Sequence, residues 1–129
     1  MLSDDQLLTE FETGVLPDAA FHHQDHVRVA WLFVRRHGLP SALGEFTHAL
    51  RRFAAAKGKP NLYHETITWA FLLLIGERQA RQPAASWEEF AARNTDLLTW
   101  KPSILDRYYQ DDTLWSDLAR RTFVWPDRC

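Results

Sequence analysis

Apolar positions recur along this chain at helical spacing, in stretches punctuated by glycine, proline and capping serines, and no strand-like alternation of useful length interrupts them. Ser3 and Gln6 are spaced as a capping box, so a first helix is predicted over Asp4–Thr13, closed by Gly14 and carrying Leu7, Leu8 and Phe11 on one face. After Pro17, the positions Val27, Ala30, Trp31, Phe33 and Val34 predict a second helix from about His23 to His37. Arg35, Arg36 and His37 suit its negative C-terminal end, and Gly38 supplies its cap. Pro40 and Ser41 open a third helix with Leu43, Phe46, Leu50, Phe53 and Ala54 on one side, ending at Gly58 and Pro60. Its opposite side carries Glu45, His48, Arg51 and Arg52.

A fourth helix, about Tyr63 to Arg81, is apolar nearly all round between Ile67 and Ile75, which predicts an element enclosed by the others. Ser86 and Glu89 form another capping box, starting a short fifth helix through about Asn94. Beyond it, Pro102 and Ser103 are expected to begin a short helix through Tyr109, and Leu114, Trp115, Leu118 and Phe123 suggest one more before Pro126. The expectation is an all-α single domain over 1–129, a bundle of five to seven helices around a buried central helix near 63–81. With 129 residues the chain can bury a core without metals or disulfides as props, so a metal here would serve function rather than folding.

Composition narrows the field. A formal charge of −2 gives no electrostatic footprint for nucleic acid, and the local basic run Arg51, Arg52, Lys57 and Lys59 reads as a solvated helix face. The single cysteine, Cys129, offers no internal disulfide. The opening Met1-Leu2-Ser3-Asp4-Asp5 lacks the basic and apolar regions of a signal peptide, and the longest apolar run, Ile67 to Gly76, is too short to span a bilayer. A cytoplasmic protein with no membrane partner is expected. Six Trp and eight Phe are many for this length, so large rings must fill the core or line a pocket.

Candidate chemistry concentrates in two histidine clusters at helix starts, Phe21-His22-His23-Gln24-Asp25-His26 and Tyr63-His64-Glu65-Thr66. His23 and His26 share a helix face that Ala30 and Phe33 continue into the core, whereas His22 pairs with His26 at the other helical spacing. If the second and fourth helices lie side by side with their N-terminal ends together, His23, His26, His64 and Glu65 converge at one end of the bundle. That donor set would suit a divalent transition metal, zinc, iron, manganese or nickel, with His23, His26 and His64 as ligands. Asp25 or the Tyr63 hydroxyl could orient the imidazoles. Without metal, His64 or His26 could act as general base, Glu65 or Asp25 holding its tautomer and Arg28 anchoring an anionic substrate. A structural alternative makes Glu65 a first-turn carboxylate paired with Arg28. The H-x-x-H spacing is less specific than H-E-x-x-H, which is absent, as are the G-x-S-x-G elbow and the phosphate-loop and dinucleotide motifs.

Three patterns are distributed along the chain: Phe21-x-His23-x-Asp25-His26-x-Arg28-x-Ala30-Trp31, Tyr63-His64-Glu65-Thr66-Ile67-Thr68, and Tyr108-Tyr109 followed by Phe123-x-x-Pro126-Asp127. In them the sequence resembles a family of small bacterial conserved hypothetical proteins without an assigned activity. The resemblance implies that His23, His26, Arg28, Tyr63, His64 and Glu65 belong to a shared pattern, which His22, His37 and His48 do not obviously match. It departs in the tail, Val124-Trp125-Pro126-Asp127.

Three functional classes follow from the residues. The first is a small-molecule enzyme with a His/Glu pocket holding a divalent metal, with Glu65, Arg28 and Asp25 in catalytic roles. The second is a non-catalytic small-ligand binder with an apolar pocket around Trp31 and Trp69. The third is a helical interaction protein or homodimer that uses an exposed surface near Trp100, Tyr108, Tyr109 and Trp115. Convergence of His23, His26 and His64 favours the first, and a large exposed aromatic patch with scattered histidines the last.

Overall fold

Ser3 starts the first helix as its spacing predicts: its hydroxyl accepts the Gln6 amide while the Gln6 side chain accepts the Ser3 amide, so two otherwise unpaired donors are satisfied. The computed structural model describes residues 2–128. Met1 and the single cysteine, Cys129, lie outside the described residues. Seven α-helices and no strand are present among them: α1 (Asp4–Thr13), α2 (His23–His37), α3 (Leu39–Ala56), α4 (Glu65–Arg81), α5 (Trp87–Arg93), α6 (Asp111–Leu114) and α7 (Asp117–Arg121). The segment expected to be helical from Ser103 to Tyr109 is a single 3-10 turn, Ile104–Arg107. The last predicted helix is two short ones, split where Ser116 caps α7 by accepting the Ala119 amide.

Gly38 closes α2 and opens α3 without a linker. Its φ of 77° is in the range that favours glycine, and its amide donates to the Val34 carbonyl at 2.8 Å, so α2 and α3 fold into an antiparallel hairpin. Phe11 of α1 fills the open side of that hairpin, with ring centroids 5.2 to 6.1 Å from Phe21, Phe33, Phe46 and Phe53.

α4 lies beside α2 and runs parallel to it. His23 meets Phe71 with centroids 5.0 Å apart, and one helical run later the Trp31 indole donates to Gln79 Oε1 at 3.0 Å, the same sequence offset in the same direction. The N-terminal ends of the two helices are therefore neighbours. α4 packs on α2, α3 and α7 but leaves Leu73 exposed on its outer side, and α2 shares the centre of the bundle, every residue from Val27 to Val34 being buried.

The C-terminal segment straps across α4. Thr66 donates its hydroxyl to the Thr122 carbonyl at 2.8 Å and accepts the Val124 amide at 3.2 Å, and Tyr109 donates to the Val124 carbonyl at 2.8 Å. These bonds satisfy backbone groups of an otherwise irregular tail and bring α6 and α7 against the start of α4. No helix among the described residues is long and apolar enough to cross a membrane.

Candidate functional site

The neighbouring starts of α2 and α4 open onto a cavity of about 590 Å³. Its floor and sides come from Phe21, Val27 and Ala30 at the α2 end, Phe46, Leu50 and Phe53 of α3, and Ile67 and Phe71 of α4. Trp100 and Trp115 close the flank supplied by the C-terminal half. His23, His26, Tyr63, His64 and Thr68 are its uncharged polar lining, and Asp18, Lys57, Lys59 and Arg120 are its charged residues. A cavity of this volume, apolar with a few convergent polar groups, has the size and lining of a small-molecule site.

His64 is the N-cap of α4 rather than part of its first turn. Nδ1 accepts the Ile67 amide at 3.1 Å, and Nε2 then carries the proton and donates to the Leu114 carbonyl at 2.7 Å. Both nitrogens are thus engaged, one starting the helix and the other holding α6. Burial pushes its pKa down, the Leu114 carbonyl opposing and the nearby Arg120 cation adding to the fall.

His23 donates Nε2–H to the Leu97 carbonyl at 2.9 Å, which leaves Nδ1 as the acceptor nitrogen. Its ring stands edge-on to Phe71 and lies 5.1 Å from Trp100. Burial pushes its pKa down against the Leu97 bond. His26 stacks on Phe21 with centroids 3.8 Å apart. Burial, reinforced by repulsion from His23 and opposed by Asp25 and the Phe21 carbonyl, pushes His26 down to about 4. Both imidazoles are neutral at pH 7.

Tyr63 donates its hydroxyl to Glu65, whose carboxylate also lies 3.5 Å from Arg51, and the Arg51 guanidinium sits 4.4 Å above the Tyr63 ring. Burial and the Glu65 carboxylate push the Tyr63 pKa up. This clamp ties the end of α3 to the start of α4. Glu65 belongs to it and is not on the cavity wall, and its cationic partner is Arg51 rather than the Arg28 of the structural alternative.

The other two residues assigned catalytic roles from sequence are also away from the cavity. Asp25 accepts the His22 amide at 2.9 Å and so caps α2 from its third residue. Arg28 is buried, donating to Asp4 at 2.6 Å and to the Leu2 carbonyl at 3.0 Å, and it pins α1 to α2. Among the described residues no three His, Cys, Asp or Glu side chains come together as a metal-holding group. His23, His26 and His64 do reach one cavity, but His64 has no free nitrogen to offer it.

Neither Trp31 nor Trp69 lines the cavity. Trp31 is enclosed between α2, Trp87 and Phe90, and Trp69 stacks on Phe123. Of the surface proposed for dimerisation, Tyr109 is buried and Trp100 turns to the cavity, while Tyr108 and Trp115 are exposed. Trp100, Trp115, Lys57 and Arg120 were missed as site residues. No local spacing marks them, because the return of the C-terminal segment and the α3–α4 turn bring them in.

No family model, no curated protein and no solved structure matches this chain.

Proposed function

We propose that this protein binds a small, largely apolar molecule in the 590 Å³ cavity between α2, α3 and α4, and that His23 and His26 contact the bound molecule as neutral imidazoles. The observation that carries this reading is that both histidines open onto an apolar chamber while each keeps a nitrogen uncommitted to the fold. An uncommitted imidazole nitrogen accepts a hydrogen bond from a ligand hydroxyl, amide or acid, and takes a proton from it where the ligand is acidic enough. The motifs behind the resemblance to small bacterial proteins supply His23, His26, Tyr63 and His64 to this wall.

Binding of Nile red, a neutral apolar dye, tests the cavity. Its fluorescence should rise with the parent protein and not with Leu50→Trp or Ile67→Trp, variants that fill the chamber, provided circular dichroism shows both folded. Equal enhancement by the folded filled variants would place the dye elsewhere and refute the reading.

A metal-dependent reading rests on the same uncommitted nitrogens. His23 and His26 would supply two imidazoles to zinc, iron, manganese or nickel, leaving the other positions to water and ligand. Elemental analysis of untagged protein and of the His23→Ala, His26→Ala double variant decides it. A stoichiometric metal present in the parent and absent from the variant supports this reading, and no metal in either after reloading refutes it.

A further inference from the structure

The charge around the cavity is opposite to that of the chain. The protein carries a formal −2, yet the lining holds three cations, Lys57, Lys59 and Arg120, and one carboxylate, Asp18. Lys59 and Asp18 pair with each other at 3.0 Å. Lys57 and Arg120 have no carboxylate partner among the described residues: the Lys57 ammonium rests over the Phe53 ring at 5.3 Å, and Arg120 donates one N–H to the Asn61 carbonyl at 2.6 Å. That bond sets the Arg120 guanidinium against the α3–α4 connection, which Lys57 begins as the last cap of α3, so both cations belong to one end of the chamber. The exposed lining residues Asp18, Lys59, Leu62 and Trp115 mark this end as the one open to solvent, while Phe21, Phe46, Phe53 and Phe71 line the interior.

From this polarity we infer that the ligand is an amphipathic carboxylate, its apolar body among the phenylalanines and its carboxylate at the mouth between Lys57 and Arg120. The inference deepens the small-molecule reading and rests on it. A guanidinium with donors to spare and an ammonium are the groups that recognise a carboxylate, and partial burial strengthens each charge-assisted bond. The neutral imidazoles deeper in suit an uncharged or weakly acidic hydrogen on the body of such a ligand, and would not compete for its charge.

Isothermal titration with dodecanoate and with 1-dodecanol, both below their aggregation limits, separates charge recognition from simple burial. Dodecanoate should bind the parent at least tenfold more tightly than dodecanol. Lys57→Gln should reduce that preference severalfold, and Lys57→Gln with Arg120→Gln should abolish it while dodecanol still binds. The single variant guards against loss of the Arg120 contact to Asn61, and thermal melts verify both. Equal binding of the two compounds by the parent overturns the carboxylate assignment and leaves the cavity reading standing. Binding of neither, together with failure of Nile red, overturns both.

Discussion

Acid should weaken this fold through His26, whose imidazole stacks on Phe21. Burial, with His23 adding repulsion, holds the folded pKa of His26 at about 4 against 6.5 for the free side chain. Between those values the unfolded chain binds a proton that the folded chain refuses, so stability falls as pH drops through about 6.5 and the loss levels off below about 4. At 1.36 kcal/mol per pKa unit, His26 alone removes about 2.5 kcal/mol between pH 7 and pH 4.5. The perturbation is His26→Gln, which keeps a polar side chain and removes the titration. Urea unfolding followed by the helical circular dichroism signal, at both pH values and fixed ionic strength, gives the comparison. The variant starts less stable at pH 7, because the stack on Phe21 is weakened, but it should lose about 2.5 kcal/mol less than the parent on acidification. Parallel losses would refute the argument, since they would mean that His26 titrates alike in the folded and unfolded chains.

Three further outcomes are expected. His64→Ala removes the α4 cap and the bond to Leu114 and should cost about 2 kcal/mol, while His64→Asn, which restores a cap, should recover roughly half; equal loss from both, by thermal or urea melts, would count against the cap. Asp4→Ala leaves the buried Arg28 cation with only the Leu2 carbonyl and should cost about 2 kcal/mol, whereas Arg28→Met with Asp4→Ala should cost less than the single change; an additive double variant would contradict the pairing. Asp25→Ala should lower stability by about 1 kcal/mol through loss of the α2 capping box and leave Nile red affinity unchanged, and a large loss of affinity would return Asp25 to the site.

The helices were legible because their signals are local. The capping box at Ser3, the serine N-cap at Ser86, the glycine stops at Gly14 and Gly38 and the 3.6-residue apolar period each act within one or two turns, and the first two helices have the predicted bounds; at Ser86 the box itself is half formed, the Glu89 carboxylate accepting the Ala85 amide. The boundary of α4 shifted by two residues because Tyr63 and His64 have extended backbones and His64 caps the helix, a role that a histidine does not advertise. Downstream of Asn94 the signals failed for a physical reason. The tail is held by long-range bonds, Thr66 to Thr122 and Val124 and Tyr109 to Val124, rather than by periodic burial.

Sequence alone determined which residues could do chemistry and that two clusters of them begin helices. Tertiary structure decided which remain available. Arg28, Glu65 and Asp25 carry the right groups for catalysis, but Asp4, the Arg51–Tyr63 clamp and the His22 amide engage them, because a charged group near a forming core is stabilised by whichever partner the packing supplies. His23 and His26 share a cavity with Lys57, Trp100 and Arg120 only because α2 and α4 run parallel and the chain folds back over them. A parallel pairing and a returning tail depend on contacts tens of residues apart, and no pattern confined to a few helical turns encodes contacts at that distance.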